Sequence, residues 1–155
     1  MKDPASESEI RSRALNLLAR REHSPAELQR KLAAAGFETE VIGTVLAQLA
    51  HDGLLSVERF AQARVRQGLS RGDGPRKIAS RLQQAGVKSP GPGAMRDDNG
   101  EPIDWLAQAQ GLCQRRFGDA PPDSAKEWSR RARFLAARGY PEQTVRQVLG
   151  EIPRP

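Results

Sequence analysis

Aromatic residues make up only 5% of this 155-residue chain, cysteine occurs once and histidine twice. The single thiol, Cys113, excludes an intramolecular disulfide and with it a disulfide-stapled scaffold. His23 and His51 stand 28 residues apart, without the spaced cysteine or histidine partners that a metal site requires, so both are read as structural. No apolar run approaches the roughly 18 residues of a membrane span, and the opening MKDPASESEI lacks the apolar centre of a signal peptide. The expected location is the cytoplasm, away from any membrane. The few aromatics do not interleave with basic residues, which argues against base stacking of the single-strand-binding type.

Catalytic constellations are missing too. GDGPRK, residues 72–77, lacks the spacing of a phosphate-binding loop, and DDNGE, residues 97–101, is too short for a calcium loop. Cys113 shares an apolar face with Ala109, Leu112 and Phe117, the setting of a buried thiol rather than a nucleophile. The chain is expected to be no enzyme, with no cofactor, no metal and no small-molecule substrate.

What is present is helical periodicity. Leu28 and Leu32; Val41, Val45 and Leu49; Val57, Ala61, Val65 and Leu69; Ile78 and Leu82; Trp128, Ala132 and Leu135; Val145 and Leu149 all step at three or four. No alternating β-branched run competes, so the class is all-α. Ser24-Pro25-Ala26-Glu27 predicts an N-cap, a first-turn proline and a capping box. Gly36 is placed to end that helix, Thr39 to cap the next, Asp52-Gly53 to stop it, and Ser56 to begin another with Leu55 and Phe60 as a staple.

The chain also repeats. SPAELQRKLAAAGF, residues 24–37, lies over GPRKIASRLQQAGV, residues 74–87, without a gap, and FLAARGY, residues 134–140, ends a third copy; the spacings are 50 and 53 residues. The expectation is three tandem three-helix repeats in an elongated, curved stack: 10–53, 54–102 and 103–152, after a disordered tail at 1–9. KSPGPGAMRDDNGEP, residues 88–102, predicts that the third helix of the second repeat is short or lost, with a hinge or mobile loop in its place.

Charge is unevenly spread along this frame. Residues 54–88 carry eight cations against Glu58 and Asp73, which accounts for the whole net charge of +6; elsewhere 17 basic residues balance 17 acidic ones. The helix predicted from Pro75 opens on Arg76 and Lys77, where the first repeat has Ala26 and Glu27. Cations at a helix start oppose its dipole, by a few tenths to about 1 kcal/mol, unless an anion is bound there. Arg64, Arg66, Arg71, Arg76, Lys77, Arg81 and Lys88 are therefore the candidate contacts to DNA phosphates or acidic protein side chains.

In order along the chain, RALNLLARREHSPAELQRKL (13–32), ERFAQARVRQ (58–67) with GPRKIASRLQQAGV (74–87), and RRFGD (115–119) with ARFLAARGYPEQTVRQVL (132–149) resemble the RecX family, modulators of the bacterial recombinase RecA. The resemblance implies three three-helix repeats and binding in the groove of the RecA–DNA filament. It further implies that ATP hydrolysis, strand exchange and co-protease activity are suppressed, so that recombination, DNA repair and the SOS response are modulated. Two features depart from the family's usual pattern: Arg64 stands where an aromatic is common, and 88–102 replaces a helix. The alternative reading is an autonomous helix-turn-helix-like DNA-binding protein. Against it, no helix start shows the mix of asparagine, glutamine and arginine that reads base edges. DNA contact on its own is expected to be weak and to phosphates.

Overall fold

A computed structural model describes residues 4–89, 91 and 93–155, with the backbone alone for Pro4 and Ala5. Among the described residues there are eight helices and no strand: α1 Pro4–Arg20, α2 Pro25–Ala34, α3 Thr39–His51, α4 Val57–Arg71, α5 Pro75–Gln84, α6 Trp105–Phe117, α7 Ala125–Ala137 and α8 Glu142–Leu149. The fold is all-α. α1 already includes residues 4–9, for which a tail was expected, while residues 1–3 lie outside the described set.

Local chemistry accounts for most helix ends. The Ser24 hydroxyl accepts from the Glu27 amide at 3.0 Å, and the Glu27 carboxylate accepts from the Ser24 amide at 3.0 Å, completing the predicted capping box. Ser56 Oγ accepts from the Arg59 amide at 3.1 Å, with Leu55 and Phe60 both buried beside it. Thr39 does not cap α3 as expected. It is the first helical residue, and Glu38 is the N-cap, with extended backbone and no side-chain bond. The chain turns into the helix one residue sooner, and the hydroxyl is carried past the position from which it could reach the N3 amide.

The second helix of each repeat ends alike. Phe37, Val87 and Tyr140 donate their amides to the carbonyls of Leu32, Leu82 and Leu135 at 3.3, 2.8 and 3.2 Å, each across a glycine of positive φ: Gly36, Gly86 and Gly139. These are three copies of one Schellman end, with the residue after the glycine packed back over the last turn. The sequence repeat is thus a backbone repeat.

Contacts gather the chain into two compact units, Met1–Ala63 with Leu82–Met95, and Arg64–Arg81 with Arg96–Pro155, so α4 and α5 contribute to both. The first unit packs α1, α2 and α3 around Ile10, Leu28, Leu32, Ile42, Val45 and Leu49. The second packs α6, α7 and α8 around Ala109, Cys113, Trp128, Leu135, Val145 and Leu149. Helices this short would not hold alone in water, and burial of these apolar side chains is what stabilises them in each unit.

Between Gln84 and Trp105 the described residues form no helix. Pro90 and Pro92, in the segment read as a hinge, lie outside the described residues. The remainder includes a small turn in which Asp97 Oδ1 accepts from the amides of Asn99 and Glu101 at 2.9 and 3.0 Å, and Arg96 donates to the Gly100 carbonyl at 2.8 Å.

Candidate partner-binding surface

α5 begins against the end of α7. The Gly74 amide donates to the Arg138 carbonyl, and the Arg76 amide donates to the Gly139 carbonyl at 3.0 Å. The carbonyl end of α7, carrying partial negative charge, therefore meets the amide end of α5, carrying partial positive charge. The approach is close: a Cβ on Gly139 would lie 2.6 Å from the Lys77 amide nitrogen, and one on Gly74 would lie 2.7 Å from the Gly139 carbonyl carbon.

The first unit contains the same joint one repeat earlier. Ser24 Oγ donates to the Ala85 carbonyl at 2.6 Å, and a Cβ on Gly86 would fall 2.5 Å from the Ala26 methyl carbon. Ser24 and Gly74 are equivalent in the repeat, as are Ala85 and Arg138. In the second unit the backbones have closed in, the side chain has been removed, and an amide replaces the hydroxyl as donor. A serine cap has no room at Gly74.

The acid that α5 lacked in its first turn precedes it. Asp73 is 2% exposed, with Lys77 Nζ 3.6 Å from Oδ1 and Arg81 Nε 4.0 Å from Oδ2, the latter oxygen buried without a hydrogen bond. Asp73 is thus an internal anion at the helix start where the sequence predicts contact with an external one. The Arg76 amide already has a carbonyl, and the Lys77 and Arg81 charges face Asp73. Burial, and next the Asp73 charge, push the Tyr140 hydroxyl pKa above its ordinary value, which keeps it neutral.

The seven candidate cations therefore differ. Lys77 and Arg81 serve the buried carboxylate. Arg66 pairs with Asp98 at 3.4 Å where both side chains are largely exposed, a contact of small energy. Arg64 donates to Gln67 at 3.2 Å. Arg71 and Arg76 have exposed side chains on anchored backbone: the Arg71 carbonyl accepts from Arg138 Nη1 at 2.8 Å, and Arg76 is fixed by Gly139. These six belong to the second unit; Lys88, also exposed, belongs to the first.

Sequence reading missed Asp73 as the neutralising acid and Arg138 as the tie to α4. The i, i+4 spacing of Asp73 and Lys77 was the available signal for the former. Nothing in the sequence marked the latter, 67 residues from its acceptor.

Elsewhere in the second unit, Gln110, Cys113, Gln114 and Arg131 line a cavity of about 300 Å³. Burial raises the Cys113 thiol pKa, so the thiolate needed for nucleophilic chemistry is disfavoured. Among the described residues no group of three or more histidine, cysteine or acidic side chains is placed to hold a metal ion, and no helix is long and apolar enough to cross a membrane.

Residues 11–49, 58–90 and 103–149 match the family models of the first, second and third three-helix domains of RecX. A protein from Acidithiobacillus ferrooxidans named Regulatory protein RecX is 42% identical over 137 residues, covering 88% of this chain and 86% of its own. A protein of the same name from Halorhodospira halophila is 42% identical over 142 residues, covering 92% and 87%. The crystal structure of RecX from Lactobacillus salivarius matches with a TM-score of 0.73 over 93% of this chain and 94% of that one; at 18% identity this likeness concerns the fold.

Proposed function

The chain belongs to the RecX family of regulatory proteins, and from that premise we propose that it acts without catalysis by binding the RecA–DNA filament. Lodged in the filament groove in the cytoplasm, it inhibits ATP hydrolysis, strand exchange and co-protease activity. Recombination, repair and the SOS response are modulated as a result. The second repeat supplies the contact. Arg71 and Arg76, with Arg64, Arg66 and Lys88, face acidic protein surface or DNA phosphates, while Lys77 and Arg81 divide their charge between the partner and Asp73.

The observation that supports this reading most is the pair of outward cations on rigid backbone. Arg71 and Arg76 flank the α4–α5 turn, and each is anchored through its main chain to the end of α7. A cation held this way loses little backbone freedom on binding, which favours a defined contact over a loose one. DNA contributes phosphate contacts that are weak without RecA.

Cross-linking from a photoreactive side chain at position 71 or 76 tests the partner and the place together. The expected product is an adduct with RecA that strengthens when DNA is present. Adducts with DNA alone, unchanged by RecA, would favour the autonomous DNA-binding reading.

A further inference from the structure

The first repeat holds a basic feature that the charge count along the chain conceals, because acidic residues elsewhere balance it in number. α1 and α2 leave between them an open cavity of about 290 Å³. It is lined by the apolar side chains of Leu17, Leu32 and Ala35 and by Arg13, Arg20 and Lys31, with the Asn16 amide among them. Helix period explains the arrangement: Arg13, Asn16 with Leu17, and Arg20 occupy successive turns of one face of α1.

The cations of this lining are poorly compensated. Arg20 and Lys31 form no ion pair among the described residues. Lys31 Nζ instead lies 3.2 Å from Nε2 of His23, whose Nδ1 is 3.0 Å from the Arg21 carbonyl. One proton arrangement satisfies both contacts: Nδ1–H donates to the carbonyl and Nε2 accepts from the ammonium. His23 is thus neutral, and burial, chiefly, holds its pKa below the ordinary value. A neutral ring positions Lys31 without cancelling its charge. Among the described residues Arg13 pairs with Glu9 alone, at 3.6 Å with both side chains more than half exposed, and lies 5.3 Å over the Phe37 ring.

Apolar and cationic lining side by side select the occupant. A DNA phosphate would satisfy the cations but has nothing to place against Leu17, and a small anion would leave the apolar lining wet. An apolar side chain flanked by carboxylates satisfies both. We propose that this cavity docks a short acidic peptide segment of a partner protein, with one aromatic or leucine-sized side chain against the apolar lining and carboxylates paired to Arg20 and Lys31. The proposal concerns the first repeat and does not depend on the reading of the second-repeat cations.

Fluorescence anisotropy on the full chain tests it, with three labelled probes: a peptide of alternating aspartate and glutamate around one phenylalanine, the same peptide with serine in its place, and a DNA duplex. At about 0.15 M salt the phenylalanine peptide is expected to bind at least about tenfold tighter than the serine peptide. Arg20→Glu with Lys31→Met removes that binding. Ala35→Trp, which adds bulk to the lining and leaves every charge in place, weakens it by at least about tenfold with helicity unchanged. Equal binding of the two peptides, or unaltered binding by Ala35→Trp, overturns the proposal in favour of diffuse charge attraction. Duplex binding that is lost in Arg20→Glu with Lys31→Met, without peptide binding, overturns it in favour of a nucleic-acid contact.

Discussion

The amide of Arg76 donates to the carbonyl of Gly139 at 3.0 Å, so the first turn of α5 is closed by the last residues of α7 rather than by a side-chain cap. The Ser24–Ala85 contact is the same joint one repeat earlier. At the start of α5 this joint stands in for a side-chain cap, so the outward side chains there are released from capping duty, whereas α2 keeps its Ser24–Glu27 capping box beside the Ala85 contact. Position 76 can carry a cation because the helix start does not rely on it.

The joint makes glycine necessary at 139. Its φ is +95°, and a Cβ would press on the Lys77 amide nitrogen. Gly36 has φ +99° but open space around it. Gly36→Ala is expected to cost about 1–2 kcal/mol from backbone strain alone. Gly139→Ala should exceed that by at least about 1 kcal/mol, because backbone must move and the joint must open. Urea unfolding of both variants checks the difference.

Asp73 predicts non-additive effects. Lys77→Gln or Arg81→Gln alone leaves one cation beside the carboxylate, and each partner is over a third exposed, so each is expected to cost under about 1 kcal/mol. The double variant strands a buried charge and should cost about 3–5 kcal/mol. A double-mutant cycle that comes out additive would show that Asp73 is not the shared partner.

His23 predicts a pH effect. Burial, the largest cause, lowers its folded pKa below the ordinary 6.5. Below that ordinary value the unfolded chain binds a proton that the folded chain resists, so stability is lost as pH falls from about 6.5 towards the folded pKa. The urea midpoint should decline between pH 7.5 and 5.5, two measuring points about one unit either side of that value. His23→Gln should flatten the decline.

Much of this fold is legible in the sequence because its signals are local. Leu28 with Leu32, Ile78 with Leu82, and the glycines at 36, 86 and 139 follow from helical spacing and from the Schellman end, and they align the three copies without structural help. The cap at Thr39 failed because a one-residue shift in where the chain turns is decided by packing. The environment of the basic residues was hidden for a different reason. Gly74 with Arg138 and Arg76 with Gly139 are pairs more than 60 residues apart, and no periodicity connects them. Asp73 was counted only as a charge, whereas its burial makes it the anion that Lys77 and Arg81 attend. Net charge located the basic repeat, but it could not separate cations that serve the fold from Arg71 and Arg76.

DNA without RecA is expected to bind weakly, with affinity that falls steeply with salt. Replacing Arg71 or Arg76 by glutamine should reduce the slope of log K against log salt by about one each, with little sequence preference before or after. Fluorescence titrations over a salt series measure this directly.

Inhibition of RecA ATPase by the Arg71→Glu, Arg76→Glu double variant tests the central claim. Both side chains are exposed, and neither pairs with Asp73, so helicity and the urea midpoint should stay close to those of the parent chain. Inhibition is expected to fall by at least about tenfold at equal protein concentration, as loss of two paired contacts implies. Undiminished inhibition by a folded double variant would contradict it.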